Sequence, residues 1–257
     1  MRLIEHPVSS PKEGSRLLII VHIETMEQMG NAFDQIMILI DRLGKAELHV
    51  SLSINKMLDL APPWVEMFQS LLKSKRIPFV YFLEGEKSHL QPLWDRSYDA
   101  THVIAIRNSF FCAEDILRIY SQVASVSRLV CGVQFAHMNK RQLRLDVTDF
   151  TLHALGVFRD RDGNQQESPA LKSILKGFTT PLDCCWSNVA GLAGNLLSSK
   201  PEHDGDCLGY DCMMICEMAK GAKLMPSVPV VPDLGTRSLF AVAPLYPEIH
   251  PKEVPEL

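Results

Sequence analysis

No run of eighteen apolar residues occurs in this 257-residue chain, which argues against a helical membrane span. The apolar stretch Leu17 to Val21 is short and bracketed by polar residues. No apolar core followed by a small-residue cleavage site opens the chain, and no Asn-x-Ser/Thr acceptor occurs. These absences lead to the expectation of a soluble, cytoplasmic protein without a membrane partner. Gly-x-Gly-x-x-Gly after the first apolar run is missing, as is Gly-x-x-x-x-Gly-Lys-Ser/Thr. Nicotinamide dehydrogenases and P-loop NTPases thereby lose their main support. The seven cysteines (112, 131, 184, 185, 207, 212 and 216) include no Cys-x-x-Cys pair. An odd count in a chain of this size is not expected to be a disulfide framework. A formal charge of −4 gives no global nucleic-acid signature, so DNA is not an expected partner, although a local basic patch remains compatible with it.

What is present is a rhythm of short apolar runs and amphipathic stretches. Residues 16–23, 47–54, 77–82, 102–106 and 128–135 have strand patterning; 31–43, 62–75 and 113–123 have helical spacing. Alternation of this kind predicts an α/β fold, a mostly parallel sheet flanked by helices. Its ligands belong beyond the carboxyl ends of the strands, at residues 22–30, 53–59, 107–110 and 134–140. The second half is less regular. Residues 159–170 are expected as a loop, 184–197 as a buried crossing segment, 211–220 as a helix, and 225–231 as a Pro-marked edge strand. The division is a flexible arm (1–15), one α/β catalytic-type domain (16–244) and a Pro-rich tail (245–257).

Asp160 and Asp162 flank Arg161 ahead of Gly163, at an expected chain reversal. Carboxylates at i and i+2 can converge on a hard cation, or hold a guanidinium or amine by charge-assisted bonds. Asp-Gly is equally an ordinary turn signal. Asp211 and Glu217 flank a predicted helix, and either is an acid/base candidate. Trp186 offers an apolar wall and Asn188 an orienting amide. Cys185 or Ser187 would be a nucleophile only with a base nearby; packed thiols are the simpler reading. Asn108 and Ser109 stand where a strand should end. His22, Glu24, His102, His137 and His153 form no metal-binding pair and are expected to be structural. Lys140, Arg141 and Arg144, with Lys172 and Lys176, form a basic set suited to phosphate or RNA, or simply a solvated face.

The order of these segments resembles the fungal capsule-type alpha-1,3-mannosyltransferase family across roughly residues 17–233. The resemblance is carried by Ser51-Leu-Ser-Ile54, Asn108-Ser-Phe-Phe-Cys-Ala-Glu-Asp-Ile-Leu117, Val130-Cys-Gly-Val-Gln-Phe135 and Arg159-Asp-Arg-Asp-Gly163. Cys185-Trp-Ser-Asn188, the Cys207–Cys216 block and Val228-Pro-Val-Val-Pro232 complete it. It implies a glycosyltransferase-A-like fold and a nucleotide-sugar enzyme using Mn2+ or Mg2+, with Asp160 and Asp162 as candidate ligands. The chain departs from that pattern at Asn108-Ser109, where the family carries Asn-Asp, and at Gln134, where it carries aspartate. Asn55 stands near the expected glutamate, with Asp59 retained.

Altered acids on a retained scaffold are similar to the arginine-containing cyclodipeptide synthases of fungal secondary metabolism. That resemblance implies synthesis of cyclo-Arg-Xaa from aminoacyl-tRNAs, including arginyl-tRNA, without a cofactor. Asp160 and Asp162 would orient the guanidinium or the attacking amine, Asp211 or Glu217 would move the proton, and Lys140, Arg141 and Arg144 would guide the tRNA. The alternatives are a metal-dependent alpha-mannosyltransferase and a non-catalytic, degenerate glycosyltransferase-like binding protein.

Overall fold

A computed structural model describes residues 14–43, 47–55, 57–58, 61–83, 98–125, 128–139, 142–145, 158–159, 165–166, 168–185, 187–196, 219–230 and 245–246. The first half alternates β1 (Arg16–Ile23), α1 (Met26–Leu43), β2 (Glu47–Ile54), α2 (Ala61–Ser74), β3 (Phe79–Leu83), β4 (His102–Arg107) and α3 (Ala113–Ser125). There follow β5 (Leu129–Asn139), β6 (Gln142–Leu145), β7 (Phe158–Arg159), β8 (Gln165–Gln166), α4 (Pro169–Leu175), β9 (Thr180–Leu182), β10 (Val189–Ala193), a 3-10 turn (Gly194–Leu196), β11 (Ala222–Val230) and β12 (Leu245–Tyr246).

The main sheet runs β12-β6-β5-β10-β4-β1-β2-β3, with β11 against β5 and β9. β1 is buried along nearly its whole length because it has parallel neighbours on both sides, β2 and β4. Strands buried on both faces need near-continuous apolar sequence, and Leu17 to Val21 provides it. Leu17, Ile19, Val21 and Ile23 pack with Met29, Phe33 and Ile36 of α1, Phe68 of α2 and Ile116 of α3 in one core. Phe33 and Phe68 stack across the two helices with ring centroids 4.0 Å apart.

The α/β expectation holds, with differences that have physical causes. α1 begins at Met26 rather than at 31, because Thr25-Met-Glu-Gln28 is a capping box. The Thr25 hydroxyl accepts the Gln28 N–H, and Gln28 Oε1 accepts the Thr25 N–H. The crossing segment becomes β10, antiparallel to both β4 and β5. The region expected as a loop ends in α4, where the Ser168 hydroxyl caps Leu171 N–H and Pro169 takes the first helical position. β11 is not an edge strand over its first residues: Lys223 and Leu224 pair with β9 on one side and β5 on the other. Its prolines are tolerated because the ladder with β5 shifts between Met225 and Pro229.

The cysteine expectation is overturned. Cys131 of β5 and Cys185 form a disulfide across a sequence separation of 54. A loop of that length restrains the unfolded chain by about 4 kcal/mol. Cys184 is disulfide-bonded as well. Cys185 is therefore no nucleophile.

Two glycines set how closely the layers approach. A Cβ on Gly191 of β10 would lie 2.2 Å from Ile119 Cγ2 and 2.8 Å from Val123 Cγ2 of α3; one on Gly194 would lie 1.8 Å from the Ala100 carbonyl oxygen. Gly191→Ala is expected to destabilise the fold by about 1–3 kcal/mol, since α3 must lift or distort. Urea denaturation of the variant against the parent measures this.

Tyr120 of α3 is buried, and its hydroxyl has no hydrogen-bond partner among the described residues. Desolvation by burial raises its pKa, and the Ser15 side chain opposes the shift. A raised folded pKa means the neutral phenol favours folding. That contribution is complete below the unfolded value of about 10 and is lost as pH climbs through the folded value. Tyr120→Phe is expected to be neutral or stabilising at pH 7 and to flatten the alkaline limb of a urea-midpoint-versus-pH profile.

Candidate functional site

The chain runs β1, β2, β3 outward, then returns to place β4 on the other side of β1. α1 and α3 stay on one face of the sheet and pack against each other, while the strand order reverses at β1, so the carboxyl ends of β1 and β4 border the switch-point crevice where ligands of open α/β sheets bind. Parallel register brings three polar residues into one row there. His22 of β1 pairs with Ser53 of β2 on one side and Arg107 of β4 on the other. Registered neighbours project from the same face, and this face is opposite the Val21–Ile23 core face.

His22 is buried, with Nδ1 3.2 Å from Ser53 Oγ and Nε2 3.6 Å from Glu24 Oε1. The Glu24 carboxylate is one-third exposed. The imidazole is thus hydrogen-bonded across to the Ser53 hydroxyl on one side and within ion-pair range of the Glu24 carboxylate at the solvent-facing rim on the other. Arg107, half-buried, adds a fixed positive charge. Its backbone N–H donates to the Asn188 carbonyl at 2.7 Å, so the segment entering β10 closes the end of β4.

α1 holds the chain leaving β4. Gln28, Asn31 and Gln35 lie on one helix face. Gln28 Nε2 donates to Asn108 Oδ1 at 2.6 Å. Asn31 receives the Phe111 N–H at 3.1 Å and donates to its carbonyl at 3.2 Å. Gln35 Oε1 receives the Ala113 N–H at 2.9 Å, capping α3. Asn108 has a φ of 42°, a left-handed backbone that asparagine tolerates better than most residues. Ser109 is buried and donates to the Arg107 carbonyl at 2.9 Å.

Of the residues expected to be functional, Asn108 stands at the crevice with its amide oxygen engaged by Gln28. Ser109 is turned into the backbone of β4. Asn188 contributes its carbonyl. Arg144 lies in β6 between Ala136 of β5 and Tyr246 of β12. Asp160, Asp162, Asp211, Glu217, Trp186, Lys140 and Arg141 lie outside the described residues. Ser187 is buried and forms a local staple, its Oγ donating to the Val189 carbonyl at 2.8 Å. His22 and Glu24, expected to be structural, are at the crevice itself. The strand-end rule had pointed to their segment; what was missing was the register that aligns His22 with Ser53 and Arg107.

No protein-family model matches the chain, and no curated protein does. Solved structures do. A mannosyltransferase from Pyrobaculum calidifontis, solved with GDP-Man and Mn2+, superposes with a TM-score of 0.50 at 14% identity, over 88% of this chain and 60% of that one. The fold is that of a type A glycosyltransferase. GalNAc-T7, solved with UDP, GalNAc and Mn2+, gives a TM-score of 0.48 at 10% identity, over 84% of this chain and 42% of that one. This chain spans less than two thirds of either protein.

A divalent cation is what such a fold implies. Among the described residues no three His, Cys, Asp or Glu side chains group as ligands. The end of β4 offers an amide and a hydroxyl, both engaged within the protein. The described residues do not fit a cation, and no chemical step is assigned to one.

The α1 ladder yields a direct expectation. Asn31→Ala would leave the Phe111 N–H and C=O without their partner, at a cost of about 2–3 kcal/mol. Chemical denaturation reads the loss, and Asn31→Asp, which keeps the acceptor, should fall between variant and parent.

Proposed function

We propose that the protein is a glycosyltransferase-like transferase that binds an activated, phosphate-linked sugar donor at the β1–β4 crevice. The observation that carries this is the Ser53–His22–Arg107 row, placed at the switch point of a type A glycosyltransferase fold. The Arg107 guanidinium suits a diphosphate by charge-assisted hydrogen bonds. Ser53 and His22 offer neutral hydrogen-bonding groups beside it. Glu24, at the rim, is placed to accept a proton from an incoming hydroxyl, with His22 behind it. The finer reading, a capsule-type alpha-mannosyltransferase, is supported by the sequence resemblance and its segment order.

A second reading is favoured by one observation. Asn108 and Ser109 occupy the end of β4 as an amide and a hydroxyl, without the acid that the mannosyltransferase resemblance expects there. Changed chemistry on the same scaffold, tRNA-dependent formation of cyclo-Arg-Xaa, accounts for that departure. It rests on sequence resemblance, and the residues it uses for catalysis and tRNA guidance lie mostly outside the described residues.

One experiment separates the two. The full chain is titrated with GDP-mannose and UDP-glucose, with and without Mn2+, by calorimetry. In parallel it is incubated with arginyl-tRNA and other aminoacyl-tRNAs, with and without RNase, and products are read by mass spectrometry. Binding of a nucleotide sugar that weakens about tenfold or more in Arg107→Ala is the expected result. No nucleotide-sugar binding, together with an RNase-sensitive cyclo-arginine product, would replace it with the synthase reading. Neither binding nor product, with tRNA charging verified, would leave the non-catalytic scaffold.

A further inference from the structure

We infer that the Cys131–Cys185 disulfide is a redox-sensitive tether for the crevice, and that the protein acts in an oxidising compartment. Both sulfurs belong to fully buried residues. Cys131 is within β5, at the level where β5 pairs with Ala190 of β10. Cys185 lies three positions before Asn188, and its sulfur is 3.6 Å from the Lys223 carbonyl of β11. The bond therefore clamps the strand-entry segment between β5 and β11.

That segment carries the contact that closes β4. Asn188 takes the Arg107 N–H at 2.7 Å, and the next residue begins β10. The Ser187 bonds to Val189 are local and hold the shape of the turn without attaching it to the sheet. At Cys185 the long-range attachments are the disulfide and the sulfur's contact with the Lys223 carbonyl, beside the bonded Cys184. Cutting the Cys131–Cys185 bond removes the covalent link to β5 and loosens the stretch from Cys185 to Asn188 that leads to Arg107, the charged member of the row. β1 and β2 hold Ser53 and His22 by their own ladder, and that ladder does not depend on the bond.

The redox step balances with a dithiol. The protein S–S takes up two electrons and two protons to give the Cys131 and Cys185 thiols, and the dithiol closes to a cyclic disulfide. Bonds of this kind persist in oxidising compartments and are reduced by thiol systems in the cytosol. The cytoplasmic expectation from the sequence then gives way to a secretory or similarly oxidising location. The two engaged sulfurs in adjacent positions, Cys184 and Cys185, argue the same way.

The test uses hydrogen exchange on the full chain, made through a secretory route and in a reducing cytosol. The secreted chain is expected to yield a linked Cys131–Cys185 peptide, with both thiols resistant to alkylation until a dithiol is added. Adding dithiothreitol, or making Cys131→Ala with Cys185→Ala, is expected to speed exchange of the Arg107 amide about tenfold or more. Ile20 and Leu52 amides should remain slow. Since dithiothreitol also reaches Cys184, the double variant assigns the effect to this bond. If that variant fails to fold, Cys131→Ser with Cys185→Ser, closer in size to the thiols, is read in its place. Free thiols in the secreted, folded chain, or unchanged Arg107 exchange after the bond is cut, would overturn the inference. No readout uses a donor, so failure here is distinct from failure of the proposed function.

Discussion

Everything at the crevice depends on the parallel pairing of β1 with β2 and β4. A strand with parallel partners on both sides cannot be joined to either by a tight turn, so each connection must climb over a face of the sheet as a helix. The helices depart from the carboxyl ends, α1 and α3 side by side on one face, and the reversal of strand order at β1 leaves a gap between the outward and the returning connections. The side chains in that gap are set by register. His22 is in the gap because Leu17 through Val21 occupy the interior, and the apolar run stops one residue earlier.

Around this frame the protein uses two unlike devices to hold the departing chain. On the α1 side the device is polar: Asn31 and Gln35 replace water for the backbone of Phe111 and Ala113, and Gln28 holds the Asn108 side chain. Buried backbone groups outside regular structure need such partners, and a helix face supplies them at fixed spacing. On the β5 side the device is covalent, through Cys131 and Cys185. The antiparallel β10 sits between them. Its glycine at 191 lets α3 settle onto the sheet, while its first residues meet the end of β4.

Much of the fold was legible in the sequence, for reasons that differ by element. β1 and β2 were bounded to the residue because apolar runs or strict alternation end abruptly there. α2 and α3 were legible from helical spacing. The start of α1 is a Thr25-x-x-Gln28 capping box that lies ahead of the helical spacing beginning at Phe33. α4 starts at a Ser168-Pro169 cap inside a polar, charged stretch whose composition points to a loop. β10 could not be read as antiparallel, since strand direction is a property of the long-range partner. The same limit applies to the site. Asn108 is marked by its place at a strand end, whereas Ser53, His22 and Arg107 become a group through register alone. Cysteine pairing is long-range too, and the parity of the count does not reveal it.

The row across β2, β1 and β4 also bears on how this protein can vary over time. Adjacent residues in a strand point to opposite faces, so gaining or losing a single residue within β1 would exchange His22 for an apolar neighbour. It would also turn the Val21 and Ile23 positions out of the core. Substitution at the three positions changes the polar character of the row and leaves the ladder of β1 intact. Change of length in β1 does both kinds of damage at once. Descendants of this scaffold are therefore free to alter their chemistry by exchanging side chains at the strand ends, while the count of residues in the central strand stays constant.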